Sequence, residues 1–116
     1  MIKTLGSIAA ILLVASSPLW ARTRNLSGTW ESHVFGSKVV VHLNQKGRSI
    51  AGVARVYGPF GKKTTYHFRG MVEGNRVQAA HYSGHSFVGM VGRNGVISGV
   101  LTTRQGRQIP VTASRR

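Results

Sequence analysis

The sequence contains no cysteine and no aspartate, and its only acidic residues are Glu31 and Glu73. The missing cysteine excludes disulfides and a thiol nucleophile. Two isolated glutamates do not supply the paired carboxylates of general acid–base catalysis, nor a carboxylate cage for a hard cation. A Ser-His-Asp arrangement has no aspartate to draw on. The expectation is therefore a non-enzymatic protein with no cofactor and no metal centre. Long apolar runs are equally scarce. The one such run, Leu5–Ala15, is too short to span a bilayer comfortably, and no window repeats apolar residues at three and four, so helices are not expected.

That apolar run lies between Lys3 and the segment Ser16-Ser17-Pro18-Leu19-Trp20-Ala21. Charge, apolar stretch and small-residue site together predict a secretory signal peptide over residues 1–21, leaving a domain over 22–116. The product is expected to be exported, to the periplasm or the extracellular space. Sixteen Lys and Arg give the chain a formal charge of +14. Such a surface repels its own copies and attracts polyanions: nucleic acid, lipopolysaccharide, anionic lipid or acidic polysaccharide.

Beyond Asn25 the chain is a series of short runs rich in Val, Ile, Thr, Tyr and Phe, alternating in twos and broken by glycine. Eight strands are predicted: Gly28–Val34, Lys38–Asn44, Ser49–Tyr57, Thr64–Glu73, Arg76–Tyr82, Ser86–Arg93, Val96–Arg104 and Gln108–Ala113. Lys46-Gly47, Gly74-Asn75, Ser83-Gly84-His85, Asn94-Gly95 and Gln105-Gly106 supply the turns. The only real loop is Gly58–Lys63. Connections this short make sequential strands antiparallel neighbours, so the fold is all-β, a single up-and-down meander. One face of each strand is apolar. Eight such strands with no covering helix bury that face by closing into a small barrel.

Trp30, Tyr66, Phe68 and Phe87 point inward by alternation and are the candidate lumen residues. The unit apolar–x–Gly–x–apolar recurs at Ile50–Ala54, Phe68–Val72, Phe87–Val91 and Ile97–Leu101. Its central glycine faces inward each time, and Ala79 takes the equivalent place on the fifth strand. Strand glycines are costly, so the band needs a reason. Curvature, room for large rings, and a ligand cavity are the three open explanations.

The segment Leu26-Ser27-Gly28-Thr29-Trp30-Glu31 resembles the Gly-x-Trp opening of the lipocalin and avidin-type (calycin) barrels. The resemblance implies a barrel closed at one end by Trp30, and a binding role. It also implies an arginine from a late strand packed across that tryptophan, with Arg107 and Arg115 as candidates. The chain departs from those families in being shorter than a typical lipocalin and in lacking its terminal helix and disulfide. It also lacks the further tryptophans of the avidin pocket, so no particular ligand is implied.

Two functional readings result. In the first, an exported binding protein engages an anionic partner through its basic surface. The expected site is the loop with Phe60, Lys62 and Lys63, flanked by outward-facing Arg55 and Arg69. The alternative is a carrier or sensor of a small apolar ligand held in the lumen. Five histidines, His33, His42, His67, His81 and His85, are read mainly as surface and rim residues, His81 facing inward near a barrel end. Outward Val88, Met90 and Val100, on adjacent strands, form a candidate surface for homo-oligomers.

Overall fold

The computed structural model describes residues 25–116, so the predicted signal peptide lies outside the described residues. Eight antiparallel strands close into a barrel in sequential order: β1 Gly28–Val34, β2 Ser37–Lys46, β3 Ser49–Tyr57, β4 Lys63–Glu73, β5 Arg76–Ala80, β6 Ser86–Val91, β7 Ile97–Thr102 and β8 Gln108–Arg115. A single 3-10 turn at Pro59–Gly61 interrupts the β3–β4 connection.

The strand ends differ from expectation for a specific reason. Three hairpins share one three-residue loop: Tyr82-Ser83-Gly84, Arg93-Asn94-Gly95 and Arg104-Gln105-Gly106. Each is closed by a backbone pair, such as His81 N–H to the His85 carbonyl at 2.9 Å and Thr103 N–H to the Arg107 carbonyl at 2.8 Å. Each ends on a glycine at positive φ, which this loop type requires. These turns draw in the residues at the ends of β5, β6 and β7, which are shorter than predicted.

All seven consecutive pairings keep the inward and outward faces that alternation predicts. Val40 is the exception in exposure. It faces outward yet is buried, standing in register between Glu31 and Arg55, whose longer side chains flank it. The closing pair, β1 with β8, is short: Trp30, Glu31 and Ser32 oppose Arg115, Ser114 and Ala113. Ser32 Oγ reinforces this seam by donating to the Thr112 carbonyl at 2.6 Å.

One end of the barrel is plugged. Residues 25–27 cross beneath it, and Trp30 and Leu26 are each 1% exposed. Trp30 Nε1 donates to the Leu26 carbonyl at 2.9 Å, and Leu26 N–H donates to Gln45 Oε1 at 2.7 Å. Of the two candidate arginines it is Arg115 that lies over the Trp30 ring, at 4.6 Å. Its guanidinium also donates to the carbonyls of Ser27 and Asn25 at 2.7 and 3.1 Å. Arg107 is at the other end of the barrel, over Phe35 at 5.0 Å. Ile50, Val72, Val77, Val91 and Ile97 complete the core with Trp30 and Leu26, so the core occupies the plugged half.

The glycine band is explained by close approach. A Cβ at Gly70 would fall on the Gln78 carbonyl oxygen, and one at Gly99 on that of Val88. At Gly52 and Gly89 a Cβ would meet the Phe68 and Phe87 rings at 2.7 Å. Tight coiling of neighbouring strands and room for rings therefore both apply. None of these four glycines lines the internal cavity. They let the two rings lie back against the wall, which leaves the barrel axis open.

Candidate functional site: an apolar lumen and its basic mouth

Trp30, Ile50 and Ile97 line the lumen toward the plugged end, and a cavity of about 490 Å³ runs from there to the opposite mouth. All four predicted lumen residues, Trp30, Tyr66, Phe68 and Phe87, line it. The walls between are almost wholly aliphatic, with Val41, Ala54, Ala79 and Val111 among them. From Trp30 to Val34 is four residues of strand, about 13 Å of chain at the usual rise of about 3.3 Å per residue. A ligand held there would have to be small or slender.

The mouth is built by the four connections β1–β2, β3–β4, β5–β6 and β7–β8. Alternating hairpins of a meander must emerge at the same end, so residues 35–36, 58–62, 81–85 and 103–107 are gathered there whatever their separation in sequence. Four exposed aromatic residues stand at this end: Phe35, Tyr57, Phe60 and Tyr82. With them are Lys62, Lys63, Arg104 and Arg107, none of which has an ion-pair partner among the described residues. The two glutamates are elsewhere and already engaged. Glu31 meets Arg116 at 3.1 Å and Lys38 at 3.9 Å, and Glu73 meets Arg48 at 3.5 Å.

The predicted anion-binding set is brought together only in part. Phe60, Lys62 and Lys63 share the β3–β4 connection, and Phe60 is wholly exposed. Arg55 lies opposite Thr65, two residues into β4 from Lys63. Arg69 lies opposite Ala51 and Ala80, four residues further along β4 from Thr65. That places it about 13 Å down the strand. It borders a separate groove on the outer face with His42, Asn44, His67 and Tyr82.

The histidines of the β5–β6 hairpin are more than the rim residues their sequence pattern suggests. His81 and His85 are the cross-strand pair that closes its three-residue loop, so both rings fall on one side and border the lumen at its mouth. Their centroids are 6.3 Å apart, and the Tyr66 ring stands edge-on to both, at 5.3 and 6.0 Å. The signal in the sequence is the spacing of four across a Ser-Gly turn, which brings two such residues opposite each other. Phe35, which no sequence pattern singles out, adopts φ of 50° with Gly36 at 79°, and it lines the cavity while 72% exposed. Val88 and Val100, which are register partners, and Met90 are exposed on the outer wall as expected.

No known family model, curated protein or solved structure matches the chain.

Proposed function

We propose that this barrel is a non-enzymatic carrier or sensor that binds a small apolar molecule in its lumen. The observation that carries the reading is the open cavity of about 490 Å³ with aliphatic and aromatic walls. Apolar surface that folding leaves unburied inside a barrel is stabilised by an apolar guest. The Gly28-Thr29-Trp30 opening and Arg115 over the Trp30 ring support a calycin-type reading of the barrel. The leader-like residues 1–21 support export, for which an intact mass beginning near Arg22 is the expected result.

The test is titration with a neutral fluorescent apolar probe. The protein is expected to bind it with little dependence on salt, and Ala54→Phe, which fills the lumen from the wall, to abolish binding while the strand circular dichroism signal persists. Equal binding by the filled variant would place the probe on the surface and overturn the reading.

The anionic-partner reading stands as a second role, because one observation favours it independently. Four cations without acidic partners among the described residues and four exposed aromatics share one end of the molecule. A polyanion or an anionic bilayer would meet this end first, and that association should weaken steeply with salt.

A further inference from the structure

We propose that His81 and His85, with Tyr66, form a headgroup site at the mouth of the lumen that takes the carboxylate of a fatty-acid-like ligand, whose chain occupies the cavity. The proposal rests on the lumen-binding reading above and specifies its ligand.

The backbone around each ring decides which of its nitrogens carries the proton. A backbone N–H can only donate. Ser83 N–H points at His81 Nδ1 at 3.1 Å, and Arg104 N–H points at His85 Nδ1 at 3.2 Å. Both Nδ1 atoms are therefore acceptors, and in a neutral imidazole the proton then sits on Nε2. Ser83 Oγ stands 2.6 Å from the same nitrogen of His81. The hairpin and its neighbour thus fix both rings as Nε2–H donors. Neither Nε2 has a hydrogen-bond partner among the described residues, nor has the Tyr66 hydroxyl. The residues that carry these three unpartnered groups border the mouth of the cavity together with Ser37, Ser86 and Thr103, while the rest of its wall is mostly apolar.

This arrangement suits an acceptor and not a metal ion. A metal-bound histidine usually offers a lone pair from one nitrogen and donates the other N–H to an acceptor. Here the second nitrogen faces a backbone donor, so the lone pair is already used and the free nitrogen carries hydrogen. Two N–H donors and a hydroxyl at the mouth instead match the two oxygens of a carboxylate. The surrounding charge has the matching sign, since Arg104 and Arg107 stand on the adjoining hairpin and no carboxylate is placed at this end. A chain attached to that carboxylate would run down the axis toward Trp30, past the aliphatic wall.

The experiment compares dodecanoate with its uncharged methyl ester, and both with a neutral apolar probe, on the wild-type protein and on His81→Asn/His85→Asn. Asparagine is chosen because its Oδ1 can replace Nδ1 as the acceptor for a nearby N–H. Asn25 and Asn94 already do this in the chain, accepting from Ser27 N–H at 2.9 Å and Val96 N–H at 3.0 Å. The variant therefore keeps the acceptors that hold the turn and removes both rings with their Nε2–H groups, setting a shorter side chain back from the mouth. The wild type should prefer dodecanoate to the ester by about tenfold to a hundredfold, the size expected for hydrogen bonds to a charged group. The double variant should lose that preference, read as the ratio of dodecanoate to ester affinity, with the neutral probe reporting any separate change in the lumen wall. Tyr66→Phe should give a smaller loss of the same kind. If the probe binds but the preference is absent, the headgroup site is overturned. If the preference survives in the double variant and falls only in Arg104→Gln/Arg107→Gln, the general field of the rim is responsible and the proposal is equally overturned. If the wild type does not bind the probe at all, the lumen reading itself fails, which is a distinct result.

Discussion

A phenylalanine in the left-handed region, as at Phe35, sits where asparagine and glycine are preferred. Such a hairpin turn, with positive φ at both central residues, favours Asn-Gly over Phe-Gly. The ring nevertheless lines the cavity and meets Arg107 at the mouth. Strain of this kind commonly persists where function requires it. Phe35→Asn is expected to raise stability by about 0.5–1 kcal/mol in a denaturant titration and to weaken binding of an apolar probe. A variant less stable than the wild type would show that the ring contributes to the core. Arg115 is the opposite case, a surface residue with a structural task. Arg115→Ala removes two hydrogen bonds to the plug and the cation over Trp30, at a cost of about 1–3 kcal/mol, with Trp30 becoming accessible to a fluorescence quencher.

Among the elements, the glycine-bearing strands are the ones with least tolerance. Gly70→Ala drives a methyl group into the backbone of β5, and a loss of at least about 2 kcal/mol is expected by thermal or chemical unfolding. His67→Ala, on the outer face of the same strand, should change stability by no more than about 0.5 kcal/mol. If the outer substitution proved the costlier, the inward and outward faces would be exchanged. These faces are readable in the sequence because a period of two leaves no ambiguity once turns bracket each strand. The ends of β5, β6 and β7 are not, because a hairpin loop closed by its own backbone pair draws in residues that still look strand-like, such as His81 and Thr103. Nor is the headgroup cluster readable. The proton position on His85 depends on the backbone N–H of Arg104, nineteen residues away on another hairpin. Spacing in the chain carries no record of that contact. The height of Arg69 is likewise not readable: it lies on the strand next to Arg55, but adjacency of strands does not fix register, which sets it opposite Ala51 and Ala80 rather than beside Arg55.

Across the whole molecule, the charge is lopsided and the barrel has two unlike ends. Reversing Lys62 and Lys63 to glutamate alters the mouth, while reversing Arg76 and Arg93 makes the same change in net charge near the plugged end. Against heparin or anionic vesicles, a larger loss and a shallower salt slope from the mouth variant would locate the contact there, and equal losses would show a delocalised field. The seam between β1 and β8 exposes the molecule to a different hazard. Three residue pairs close the cylinder, and all of them use residues 113–115. A chain shortened by those last residues keeps seven strand pairings but becomes an open sheet with two raw edges, each offering unpaired N–H and C=O groups. Two such copies can zip edge to edge and leave two further edges free, so the defect propagates from copy to copy. Loss of the last four residues should thus convert a discrete particle into a growing polymer, visible as a rise in light scattering with time and concentration, and C-terminal trimming would be more damaging to this protein than most substitutions in its core.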